Sequence, residues 1–335
     1  LGNDIVEYTW DFGAGSESDT SSGGRYFSGF NAAHVYEPAG SAGPNGEPSG
    51  TGGTYQVRLT VRDKNNQAAS ATQAITVLPF SGATYYVRAD GNDSNAGTGP
   101  SAAQAWKTYN KAFGAIGNNS IVRPGSRVLF KRGDTFPFTT SVGLGTAQNV
   151  VIGAYGAGER PLIQYTGTNN GVRVTTGYGV REISFQDIRF NLQSASGAYA
   201  DGISLNPASN VLFLRTEFDE YGNDHVFYGD GLFVVDSGFL RARDGNIFFS
   251  GKRLAIINSE IGPATIYHNL YGSQIDRGVI AGNYWHDSRW HGVRIAGNAA
   301  PGSWNVVVSN NKFERNGLSS INLKDTNGDS PSYGG

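Results

Sequence analysis

From Ile183 to Lys324 one eight-residue pattern of apolar and polar positions recurs six times: ISFQDIRF from Ile183, VLFLRTEF from Val211, LFVVDSGF from Leu232, LAIINSEI from Leu254, VIAGNYWH from Val279 and VVVSNNKF from Val306. Successive starts lie 28, 21, 22, 25 and 27 residues apart. β-Branched and aromatic residues at such a period mark a solenoid, in which each repeat forms one coil and stacked coils share a core. The fifth place reads Asp187, Arg215, Asp236, Asn258, Asn283 and Asn310. A polar residue at one fixed point of every coil suits a turn, because Asn and Asp tolerate left-handed backbone. Asn258, Asn283 and Asn310 are expected to stack as a ladder.

Each coil carries a second short strand: GISLN at Gly202, HVFYG at His225, NIFFS at Asn246, HNLYG at His268, GVRIA at Gly292 and SINLK at Ser320. Strict alternation points Ile203/Leu205, Val226/Tyr228, Ile247/Phe249, Val293/Ile295 and Ile321/Leu323 inward. The alternate positions then form outward columns. One reads Gly202, His225, Asn246, His268, Gly292, Ser320; the next Ser204, Phe227, Phe248, Leu270, Arg294, Asn322; a third ends at Lys324. Adjacent turns add Tyr221, Arg241, Arg243, Asp244, His286, Asp287, Arg289, Trp290 and His291. This face is the expected site.

Ahead of the repeats, Tyr85 opens a strand, an Asn/Gly loop and then Trp106, Tyr109, Phe113 and Ile116, spaced as one helical face. Ser101 followed by Gln104 reads as a capping box, so a helix is expected over about 102–116. With the downstream PGSRVLFKRG, this order resembles the start of secreted right-handed parallel β-helix proteins, whose helix plugs the open end of the core. The first 80 residues are different. YTWDFGAG from Tyr8, AHVYEPAG from Ala33, YQVRLTVRD from Tyr55 and AITVL from Ala74 are short alternating runs between Gly/Ser/Pro clusters. They resemble the PKD domain, an immunoglobulin-like module, over about residues 4–78, with the strands that normally precede WDFG lacking. The expected organisation is all-β: a PKD-like sandwich over 1–80, a linker at 81–84, and a right-handed parallel β-helix over 85–335 with an N-terminal capping helix.

Composition narrows the chemistry. A formal net charge of −2 gives no electrostatic case for nucleic acid, and no apolar run is long enough for a membrane span. With no Cys there are neither disulfides nor thiolate metal sites. The Ser/Thr/Gly/Asn-rich character and a start at Leu1 fit a secreted bacterial protein whose leader lies upstream. Asp90, Asn92 and Asp93 make calcium a candidate, but Ser101 stands where an EF-hand needs Glu, and a solvated turn is the expected role of this run.

Many parallel β-helix proteins are polysaccharide lyases, so the resemblance implies β-elimination on an acidic glycan. On that reading His291 or His268 is the base, Arg294 and Lys324 neutralise the uronate carboxylate, and Tyr221 or His225 donates the proton. Phe227, Phe248, Asn246, Asn322, Arg243, Trp290 and Arg289 would hold the sugar. A hydrolase is the second enzymatic reading, carried by carboxylates such as Asp219, Glu220, Asp224 and Asp244 if two come together. The third is non-enzymatic: a cell-surface adhesive or fibre subunit that self-associates through the open ends of its domains.

Overall fold

The computed structural model describes residues 4–13, 24–37, 45, 52–117, 121–297 and 302–324. Most of the chain is a parallel β-solenoid. Its clearest ladder is an eight-stranded parallel sheet, one strand per coil, from Thr135–Phe138 through Leu162–Tyr165, Arg189–Asn191 and onward to Lys312–Glu314. A fourteen-stranded sheet supplies the other two faces. Strands Ser204–Leu214 and His225–Val235 run unbroken from the third face of one coil into the first face of the next. Stacking follows the repeat: Ile183 lies beside Val211, Val211 beside Leu232, and Leu232 beside Leu254. From there the pairing is one residue earlier than the sequence pattern, because Leu254 lies beside Gly278 rather than Val279.

That step settles the turn column. Asp187, Arg215, Asp236, Asn258 and Asn310 all have positive φ, between 48° and 58°. In the fifth coil Gly282 holds the left-handed turn at φ 70°, so Asn283 leaves the expected ladder. Asn283 instead joins a buried chain of short polar side chains just beyond the turn. The N–H of Thr216 donates to Ser237 Oγ at 3.1 Å, that of Ser237 to Ser259 Oγ at 3.1 Å, that of Ser259 to Asn283 Oδ1 at 2.8 Å, and that of Asn283 to Asn311 Oδ1 at 3.1 Å. Backbone donors turning a corner inside the core must be satisfied, and this ladder satisfies them coil by coil.

The helix is shorter than expected, Tyr109–Ile116, with Thr108 as its N-cap; the Thr108 side chain accepts from the Lys111 N–H. Ser101 and Gln104 close an isolated turn upstream. Trp106 pairs as a bridge with Val87 ahead of the helix. The helix's buried face joins the solenoid core, with Tyr109 5.0 Å from Phe138 and Phe113 6.4 Å from Phe130 between ring centroids. The Asp90–Asp93 loop is occupied by its own contacts. Asp93 accepts from the N–H groups of Lys107 and Thr108 and from the Thr108 hydroxyl, Asn92 accepts from the Ser94 N–H, and Asp90 pairs with Arg88. These are turn and cap roles.

The N-terminal unit is one antiparallel sheet among the described residues, with Tyr26–Ser28, Ile5–Asp11, Gly53–Asp63 and Ala68–Val77 side by side. The two-sheet sandwich expected from the sequence is not what they form. Phe27, Ala33 and Val35 pack on an apolar patch made by outward residues of the first solenoid face: Leu214, Val235, Ala255, Ile257, Val279 and Ala281. Arg215 pins the contact, forking onto Glu37 at 2.7 Å through both terminal nitrogens while also meeting Asp187 at 2.9 and 3.0 Å.

Candidate functional site

The third face of the later coils is built from strands Ile247–Gly251, Leu270–Ser273, His291–Ala296 and Ser319–Lys324. Register decides which side chains reach solvent. His225 lies beside Ile247, Ile247 beside Leu270, and Leu270 beside Val293, so this column points inward. The outward column is Ser204, Val226, Phe248, Tyr271, Arg294 and Asn322. In two coils the expected alternation is therefore off by one residue, which reverses every side chain of the strand.

Four expected site residues lie in the interior, His225 and Phe227 because of that slip and Tyr221 and Asn246 at the turns beside it. His225 is fully buried among Phe218, Tyr221 and Phe239, its Nδ1 accepting the Ile203 N–H at 3.2 Å. Phe227 is in the core. Tyr221 is buried, its hydroxyl donating to Asn246 Oδ1, and Asn246 in turn donates to Asn269 Oδ1 at 2.8 Å. Tyr221, His225, Phe227 and Asn246 are scaffold, and the first two cannot be proton donors to a bound glycan. Burial holds the Tyr221 phenol well above its ordinary pKa and the His225 imidazole well below its own.

What remains outside forms a cleft of about 300 Å³ lined by Asp224, Gly245, Ile247, Phe248, Tyr267, His268, Tyr271, Trp290 and Arg294. Phe248 and Tyr271 stack face to face, with centroids 5.2 Å apart and planes within 6°. Tyr267 and Trp290 meet edge to face at 5.0 Å, and Arg294 lies 5.1 Å over the Tyr271 ring. Such rings offer flat apolar platforms, and the guanidinium adds a charge suited to carboxylates. His268 and His291 stack at 5.0 Å with planes 5° apart. Burial, His291 and Arg294 hold His268 down to about 4; burial and Arg294 lower His291 as well. Both rings are neutral at pH 7. The His291 N–H lies 3.3 Å from His268 Nδ1 and Arg294 Nη1 3.5 Å from His268 Nε2; both neighbours are donors, and a neutral imidazole accepts from one of them at a time. Arg294, beside His268, is the donor the cleft presents to an anion.

The carboxyl group of Asp224 was one of several named from sequence, and its environment could not be read there. Burial, with Asp244 and Asp201 nearby, pushes it up to about 6 against the pull of the Gly245 N–H and of Arg173. Its Oδ1 is buried without a hydrogen-bond partner, as is Oδ1 of Asp244. Gly245 makes room for it: a Cβ there would lie 2.3 Å from Asp224 Oδ1. Asp219 and Glu220 sit elsewhere, both reaching Arg241. His291 lies behind His268, 8 % exposed, its Nδ1 2.8 Å from Ser319 Oγ. Asn322 and Lys324 occupy the last coil, beside Arg294 and Ala296, and Arg289 is exposed on the turn before Trp290. None of these four lines the cleft. Arg243 lines a second recess of about 250 Å³ with Asn170, Tyr199, Asp201, Asn223 and Asp244. Among the described residues no group of three or more His, Cys, Asp or Glu is arranged to hold a metal ion, and no helix is long and apolar enough to cross a membrane.

The fold and cleft define a parallel β-solenoid protein with a carboxyl, an imidazole and a guanidinium gathered on an aromatic-lined face. No protein-family model matches the sequence, and no curated protein sequence matches it. Among solved structures it is similar to the Dettilon tailspike protein, at 13% identity and a TM-score of 0.27, over 61% of this chain and 54% of the tailspike chain. It is also similar to the family 28 exopolygalacturonase of Yersinia enterocolitica, at 10% identity and a TM-score of 0.29, over 99% of this chain and 84% of that one. The chain spans about half the length of the tailspike. Neither likeness carries an activity to this chain.

Proposed function

We propose that this protein hydrolyses an acidic polysaccharide in the cleft between Asp224 and Arg294, with Asp224 protonating the departing glycosidic oxygen. The observation that carries the reading is the Asp224 carboxyl, held at about 6 inside a cleft that also offers stacking surfaces and a guanidinium. A general acid works best with a pKa near the operating pH, and roughly a tenth of Asp224 keeps its proton at pH 7. Asp244 and Asp201 are the carboxylates near enough to influence Asp224, and either supplies the second group that such chemistry requires. Phe248, Tyr271 and Trp290 stack sugar rings, while Arg294 meets an acidic substituent.

Elimination is weakened as a reading because Tyr221 and His225 are enclosed in the core and His268, at about 4, is a poor base. The PKD-like motifs of the first unit support a secreted, extracellular protein. Incubation with polygalacturonate, alginate, hyaluronate and chondroitin tests the assignment. Hydrolysis yields new reducing ends without ultraviolet absorbance, and Asp224→Asn lowers the rate by about 100-fold or more. Absorbance from unsaturated ends would establish a lyase instead. Neither signal would leave a surface-adhesive or structural subunit.

A further inference from the structure

The second recess shares a wall with the first. Asn223, Asp244 and Ile266 line it, while their chain neighbours Asp224, Gly245 and Tyr267 line the cleft. The two hollows therefore flank a ridge built by the same three coils, one on each side of it along the chain direction, with Asp224 on the cleft's side. Each has the same furniture. Arg243 lies 5.5 Å over the Tyr199 ring in one, and Arg294 lies 5.1 Å over the Tyr271 ring in the other. Nearby Arg241 and Arg253 are ion-paired with Asp219 and Asp230, whereas Arg243 is exposed and reaches into its recess. Strand pairing carries Ile247 to Leu270 and Leu270 to Val293, so Arg243 and Arg294 belong to turns and strands two coils apart. At about 4.8 Å per coil, that is an axial span on the order of 10 Å, longer than one sugar ring.

From this arrangement we infer that the Tyr199–Arg243 recess is a second subsite across the ridge from the cleft, so that an anionic glycan crosses the ridge at Asp224, occupies both hollows and is cut within the chain rather than at its end. The inference rests on the glycan-cleaving reading above. A single hollow closed on one side would accept only a chain end. Two open hollows flanking the acid bind residues on both sides of the scissile bond, each with its own guanidinium for an acidic substituent.

The test uses the Asp224→Asn chain, which binds without turnover, in native gels cast with polygalacturonate, alginate, chondroitin sulfate or neutral pullulan. We expect retardation by at least one anionic polymer and none by pullulan. Arg243→Ala and Arg294→Ala, each added to Asp224→Asn, are expected to weaken that retardation about tenfold, as loss of a charged hydrogen-bonding group does. Arg243 is exposed, so its replacement leaves the fold intact. If Arg294→Ala weakens binding and Arg243→Ala does not, the glycan enters from one side and the second subsite is refuted while the cleavage reading stands. Retardation by none of the polymers removes the glycan reading itself. With the unmodified chain, solution viscosity should collapse before many reducing ends accumulate; release of short products at constant viscosity also overturns the inference.

Discussion

Asp224 shows what one environment does to one side chain in two respects. A carboxyl buried beside other carboxylates keeps its proton to higher pH, which suits an acid catalyst and penalises the folded state once the group ionises. Because the folded value is about 6 and the unfolded value about 4, the folded chain binds more protons between them. The sign follows: the stability contributed by protonated Asp224 is present at low pH and lost as the pH rises through about 6. Asp224→Asn removes the penalty, so we expect the variant to be inactive yet more stable than the parent by about 3 kcal/mol at pH 7, with the difference vanishing near pH 4. Denaturant unfolding at the two pH values measures it. A variant equally destabilised at both would mean that the carboxyl is needed for packing instead. Gly245→Ala should act on the same atom, since a Cβ 2.3 Å from Oδ1 must displace it.

At the level of the strand and turn, the repeat was legible because period and composition survive any small shift, whereas the face of a side chain does not. HVFYG and HNLYG align by their histidines in sequence, yet the coils set His225 inward and Asn269 next to Asn246. A one-residue slip costs nothing in hydrophobic count and exchanges core for surface. Arg294 and Phe248 stayed outward because their strands GVRIA and NIFFS have unambiguous alternation. The polar ladder at the first corner was also missed, although Thr216, Ser237, Ser259, Asn283 and Asn311 occupy one place in each coil. The small hydroxyls there are buried acceptors for backbone donors. Ser259 accepts the Ser237 N–H and donates to the Ile257 carbonyl at 2.8 Å. Ser259→Ala, a loss of one oxygen, should therefore destabilise by about 1–3 kcal/mol. Ser250→Ala, on the half-exposed third face, should stay within about 0.5 kcal/mol. Equal effects in thermal unfolding would remove the ladder's special standing.

Across the whole molecule, the two parts are joined by more than a linker. The signal was present in the repeats themselves. ISFQ alternates, but VLFL, LFVV and LAII do not, and a strand apolar at every position is one buried on both sides. Leu214, Val235, Ala255, Ile257, Val279 and Ala281 point away from the solenoid core and still are almost fully buried, because Phe27, Ala33 and Val35 lie over them. A contiguous apolar patch of this kind is costly in water. The N-terminal sheet accordingly serves as a cover, and Arg215, shared between Glu37 and Asp187, sets its register. Its absence should leave the coils and the cleft intact on the far face while exposing the patch. Residues 81–335 alone are expected to keep the β-rich circular dichroism of the full chain, to bind a hydrophobic dye and to associate at micromolar concentration by light scattering. Val35→Asp in the full chain should reproduce part of the dye signal, since it sets a charge against the patch. A monodisperse, dye-silent solenoid would show instead that the first face tolerates solvent, and that the sheet is merely tethered to it.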